Sequence, residues 1–190
     1  MGQHFEASHS LAGKLLLALP GMGDPRFERS VNAVCVHDAE GALGIGIGQL
    51  RDDVTFHDVL LQLDLDPGVA PDAPVHNGGP VEPGRGFVLH SPDWTSDGTM
   101  RVSDSLALSA SFDVLRAIAA GEGPQHWLFA LGYAGWGPGQ LDDEMHHHGW
   151  HVVDIHEDII FTAPTEARWD AVWRAEGIEP ALLSSQTGQA

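Results

Sequence analysis

Apolar residues fall along this chain in short runs, and the spacing within each run predicts an element. Leu15 to Leu19 is unbroken and closes at Pro20 and Gly21, as a buried strand followed by a turn would. Asp24 and Pro25 then suit the cap and first position of a short helical turn over Asp24 to Ser30. Val31 to His37 and Ala42 to Gly48 flank the turn-forming DAEG, Asp38 to Gly41, which predicts a hairpin. Phe56, Val59, Leu60 and Leu63 recur at i, i+3, i+4 and i+7 after Asp52 and Asp53. That stripe predicts a helix stopped by Pro67 and Gly68.

Pro67 to Pro83 is rich in Pro, Gly and Asp; the apolar stretches beside it are too short for two cores, so it is an excursion within one domain. Strands are predicted at Gly86 to His90, Thr99 to Val102, Leu106 to Ser109, Trp127 to Leu131 and Trp150 to Val153. A second helix is capped by Ser111, turns Phe112, Leu115, Ile118 and Ala119 inward and ends at Gly121. A third follows GWGPG with Leu141 and Met145, and a fourth starts at Pro164 and buries Trp169, Val172 and Trp173. Strands and helices intermix without a steady βαβ alternation, so the expected class is α+β. Residues 1–10 are expected to be a flexible lead, 11–183 one compact domain and 184–190 a flexible tail.

Charge narrows the partners. Against 27 acids stand 9 bases, a formal net charge of -18, so a phosphate backbone would be repelled and nucleic-acid binding is disfavoured. No apolar run reaches the roughly 18 residues needed to span a bilayer, and the segment before Pro20 lacks a signal peptide's positive start. A cytoplasmic protein is expected. The single cysteine, Cys35, excludes an internal disulfide, and its neighbour His37 stands too far along the strand for a nucleophile–base pair. Neither GxGxxG, GxxxxGK[ST] nor GxSxG occurs, and no cofactor is expected.

Three groups could carry chemistry. The run DDEMHHHGWHVVDIH offers His147, His148 and His151 as metal ligands, although Gly149 interrupts the helix face that His147 and His151 would share. In NGGP, Gly78 and Gly79 offer backbone amides which, with Arg85 and His90 beyond them, could hold an anion. Gln140 and Glu144, four apart after GWGPG, project on one helix face and could join Arg85 or Arg168 in a polar pocket. The bland alternatives are tight-turn glycines, a solvated helix end and a buried structural network.

Five segments in order resemble the AlgH/YqgE family: LAGKLLLALPGMGDPRFERSV from Leu11, VCVHDAEGALGIGIG from Val34, GGPVEPGRGFVLHS from Gly78, ALGYAGWGPGQLDDEM from Ala130 and IIFTAPTEARWDAVW from Ile159. The resemblance implies one α+β domain of coiled, bifurcated, mostly antiparallel sheets with about four packed helices. It also implies a regulatory role, since members are described as transcriptional regulators, but it brings no catalytic residue set. This chain departs from the family at Gln49, Leu50 and Arg51, where relatives continue with an Asn-Lys/Arg-Pro type of turn.

The first functional expectation is therefore a non-enzymatic regulatory or interaction protein, monomeric or weakly dimeric, with a protein partner or a small anionic ligand. The alternatives are a small-molecule or anion pocket between the GGP turn and the GPGQ helix start, and metal binding through the His146 to His156 cluster.

Overall fold

The computed structural model describes residues 10–20, 28–147 and 149–184. Residues 1–9 of the expected lead, 185–190 of the expected tail and 24–27 of the expected helical turn lie outside them. The strands are Lys14–Ala18 (β1), Val31–Asp38 (β2), Gly41–Gly46 (β3), Leu50–Thr55 (β4), Pro74–Asn77 (β5), Val81–His90 (β6), Thr99–Arg101 (β7), Ala107–Ser109 (β8), Trp127–Trp136 (β9) and Trp150–Asp154 (β10). The helices are Phe56–Gln62 (α1), Phe112–Ala120 (α2), Gln140–His147 (α3), Glu157–Thr162 (α4), Arg168–Ala175 (α5) and Pro180–Ser184 (α6). The described residues thus hold six α-helices rather than four. The domain is α+β, and the main sheet path runs β10-β1-β2-β3-β9-β6-β8-β7, with β4 and β5 branching off it.

The branch point is inside β9. Its first half, Phe129 to Leu131, pairs in parallel with Val75 to Asn77 of β5; its second half, Ala134 to Trp136, pairs antiparallel with β3. Between the halves stands Gly132 at φ +78°. Before it, Leu128 and Ala130 face the large core while Phe129 and Leu131 face the α1/α2 side. Beyond it the parity reverses: Tyr133 packs on the large core, and Ala134 and Trp136 join Leu16, Ala18 and Leu141 on the other face. One residue in the left-handed region has stepped the side-chain alternation of the strand by one.

The segment after β5 crosses this step at backbone contact. A Cβ on Gly78 would stand 2.1 Å from the Gly132 carbonyl oxygen, and one on Gly79 2.1 Å from the Tyr133 carbonyl carbon. Glycine is required there because backbones meet, the close-approach role that only a missing side chain permits. The β1 run is apolar throughout because both its faces are buried: Leu15 and Leu17 enter the large core, and Leu16 and Ala18 the smaller one under α3.

The helices follow the expected stripes with two differences, the exposure of Leu63 and of Phe112. Asp52 and Asp53 belong to β4, and α1 is capped by Thr55, whose hydroxyl accepts from the Asp58 N–H while the Asp58 carboxylate accepts from the Thr55 N–H. Leu63 ends that helix and is 38% exposed. In α2 the inward residues are Val114, Leu115 and Ile118; Phe112, the first residue of the helix, lies off that stripe and is 52% exposed. Gly121 closes α2 at φ +76°, as its position predicts.

A buried polar link fastens α5 to the branch. The Arg168 guanidinium donates through Nη1 to the Ile47 carbonyl at 2.8 Å and to His76 Nε2 at 2.7 Å, and His76 Nδ1–H donates to the Phe129 carbonyl at 3.0 Å. Arg168 therefore does not join Gln140 and Glu144. Burial, and then the adjacent Arg168 charge, lower the His76 pKa to about 4; burial lowers that of Arg168 to about 10. His76 is thus neutral and accepts from a guanidinium that stays charged at neutral pH.

Two outcomes follow. Gly78→Ala is expected to destabilise by about 3 kcal/mol or more in urea melts, whereas Gly84→Ala, where a Cβ would meet nothing within 4 Å, stays within about 0.5 kcal/mol. Equal effects would remove the close-approach explanation. Acidification is expected to weaken the fold between pH 6.5, the ordinary histidine value, and about 4, because the unfolded chain takes up the proton that buried His76 refuses. This loss is about 3 kcal/mol when complete; NMR titration of the His76 ring at an ordinary value would contradict it.

Candidate functional site

The division of β9 leaves a fork between β3 and β5, and a cavity of about 280 Å³ lies in it. Gly78, Gly79, Asn77 and Pro80 form one wall and Ala134, Trp136 and Trp150 another, with Asn32, Gly46 and Gln49 completing the site. Asn32 is on β2, paired with Leu16 and with Gly46, so it faces the side that Leu16 faces. Gly46 has no side chain to cover it, and could have none: a Cβ there would stand 2.6 Å from the Asn77 carbonyl oxygen. Asn32 is 9% exposed, yet its carboxamide has no hydrogen-bond partner among the described residues and opens on the cavity.

The predicted residues divide around this site. Gly78 and Gly79 line it, but the Gly78 amide is spent on the Leu131 carbonyl at 2.9 Å and its carbonyl accepts from Gly46 at 2.8 Å. The expected anion-holding turn is therefore a backbone crossing at this glycine. Gln140 and Glu144 are joined as their spacing predicts, the Gln140 amide donating to Glu144 Oε1 at 3.1 Å. Glu144 Oε2 accepts from the Trp136 indole N–H at 2.8 Å, and Gln140 Oε1 accepts from the Gly137 N–H at 2.9 Å. Both residues thus stand behind the cavity wall and hold Trp136 in place.

Arg85 belongs elsewhere. It lies over Phe87, reaches Glu82 at 3.4 Å and lines a separate cleft of about 530 Å³ between α1 and α2. The shared pocket of Arg85 with Gly78 and Glu144 is not formed, because the irregular stretch between Val81 and Gly86 carries Arg85 to the far branch. His90 is fully buried; its Nδ1–H donates to the Ser91 carbonyl and its Nε2 accepts from Ser109, both at 2.8 Å. Desolvation holds its pKa below the ordinary value, so it is a neutral internal tie rather than a ligand contact.

His147 bonds the Asp143 carbonyl in the last turn of α3, while His151 stacks on Trp173 at 4.8 Å from β10; His148 lies outside the described residues. Among the described residues no three His, Cys, Asp or Glu side chains form a group that could hold a metal. Cys35 sits at a bulge of β2 and is buried, which pushes its thiol up to about 12 and keeps it protonated. No helix among the described residues is long and apolar enough to cross a membrane.

Comparison with known proteins matches residues 15–181 to the AlgH-like family model. The chain belongs to the AlgH-like family. A UPF0301 protein of Novosphingobium aromaticivorans is 57% identical over 180 residues, covering 95% of this chain and 97% of the relative. A UPF0301 protein of Rhizorhabdus wittichii is 53% identical over 185 residues, 97% of this chain and all of the other. Among solved structures, the AlgH protein of Pseudomonas aeruginosa superposes with a TM-score of 0.79 at 37% identity over the whole of both chains. A Corynebacterium diphtheriae protein at 23% identity shares the fold, with a TM-score of 0.75 over 95% of this chain and 94% of its own.

Within this AlgH-like fold, sequence reading passed over Asn32, the residue that distinguishes the cavity. Its signal was a lone carboxamide in the otherwise apolar VNAVCV. The network behind the wall has a measurable weight: Glu144→Ala is expected to cost about 1–2 kcal/mol, because it strands the Trp136 N–H and the Gln140 amide together. An unchanged urea midpoint would show that the wall does not depend on it.

Proposed function

We propose that this AlgH-like protein is a regulatory protein that works by binding a small molecule in the fork cavity. The observation that carries this reading is Asn32. The residue is nine-tenths buried, its side-chain amide bonds none of the described residues, and it is directed at the cavity, where a ligand could meet both its donor and its acceptor side. Its surroundings suit a binding site: a concave space with largely apolar walls and a few convergent polar groups, Asn32, Gln49, Asn77 and Ser30.

A route from ligand to surface is built in. A molecule pressing on Trp136 acts on Glu144 and Gln140, and through them on the Gly137 N–H at the start of α3. That helix begins with the acidic Asp142 and Asp143, so a protein partner reading it would present basic groups. Direct binding to DNA is disfavoured by the net charge of -18.

Gln49 is exposed at the rim, and Gln49→Trp should plug the cavity without touching the core. In the small-molecule fraction of a bacterial lysate, the wild-type melting temperature is expected to rise and that of Gln49→Trp to stay where it is in buffer. Equal shifts for the two proteins, or none for either, would count against a ligand in the fork.

A further inference from the structure

We infer that the ligand of the fork cavity is an uncharged planar ring carrying a hydrogen-bond donor beside an acceptor, the edge of a nucleobase or cyclic amide. The inference rests on the reading of the fork as a binding site, and it departs from the anionic ligand that the glycine turn first suggested. Among the described residues, the cavity lining contains no Lys, Arg, His, Asp or Glu side chain. An ion entering it would leave water without a counter-charge, the costliest kind of burial. Three of the backbone amides in the lining are already spent within the fold: Gly46 donates to Gly78, Asn77 to Gln49 and Gly78 to Leu131.

A cation meets a different obstacle. The indoles of Trp136 and Trp150 and the acidic surface would attract one, but the Asn32 amide offers two N–H donors as well as an oxygen, and a cation satisfies only the oxygen. An adjacent donor and acceptor satisfy both sides at once, as a carboxamide does when it pairs with the donor–acceptor edge of adenine. The indoles then supply apolar surface for the ring. The volume, about 280 Å³, falls just below the roughly 300–1,000 Å³ of drug-sized sites, which suits one or two fused rings.

The test is a thermal-shift and tryptophan-fluorescence titration of the full chain with four probes: adenine, uracil, benzoate and tetramethylammonium. At least one base is expected to raise the melting temperature and quench emission saturably, and Asn32→Leu to weaken that response about tenfold or more. Because the Asn32 amide bonds none of the described residues, the unliganded Asn32→Leu variant should melt at or above the wild-type temperature, which separates a binding role from a structural one. Asn32-dependent binding of benzoate or tetramethylammonium instead would overturn the inference and leave the fork as a binding site. Base binding that ignores Asn32→Leu overturns it, and so does silence toward all four probes. Silence together with no difference between wild type and Gln49→Trp in the lysate fraction removes the binding site as well.

Discussion

The structure depends on a place where two stretches of backbone meet without side chains between them. Gly132 steps the alternation of β9, and Gly78 and Gly79 pass close enough to use its carbonyl region as a wall. Without that contact, β5 and β3 could not share one edge of β9, and the sheet would have no branch. The same crossing bounds the cavity, so the fold and the candidate site have one cause. It also divides the second face of the sheet into two small cores, one under α1 and α2 and one under α3, while the other face carries a continuous core beneath α4 and α5.

The branch is held by polar as well as apolar contacts. Arg168 and His76 join α5, β5, the end of the β3 region at Ile47 and, through Phe129, β9 itself. Among the described residues, no carboxylate forms an ion pair with this guanidinium, and its Nε has no partner. Such a link is sensitive to any proton added beside it, because a charged imidazole would stop accepting and start repelling. Asn32, on β2, is the opposite case, a polar side chain in a mostly buried position whose amide bonds none of the described residues.

Much of this architecture is legible in the residues. Periodicity places both helices flanking the β6 region, DAEG marks the hairpin, and Gly121 ends its helix where expected. The missed strands, β4 and β5, have reasons: LRDDVT is polar because most of it is exposed, and PVHN is short and lies in a Pro/Gly-rich stretch. Its burial comes from β9, which is more than fifty residues away in the chain. The site was half legible for the same reason. NGGP and GWGPGQ read either as tight turns or as ligand-binding turns, and both adjoin the cavity. Local sequence could not show that the Gly78 amide is consumed by Leu131 or that Arg85 is carried to another cleft. Nor could it show that Gly46 uncovers Asn32, since that follows from register across β2 and β3.

The central claim is that the Asn32 amide is kept free for a ligand, and side-chain hydrogen exchange measures that directly. In the ligand-free protein, the two Asn32 amide protons, assigned by NMR, are predicted to exchange with water at rates close to those of an exposed carboxamide, and to slow sharply when the cavity is filled. Protected Asn32 protons in the ligand-free protein would contradict the account, because they would show an amide already bonded within the fold.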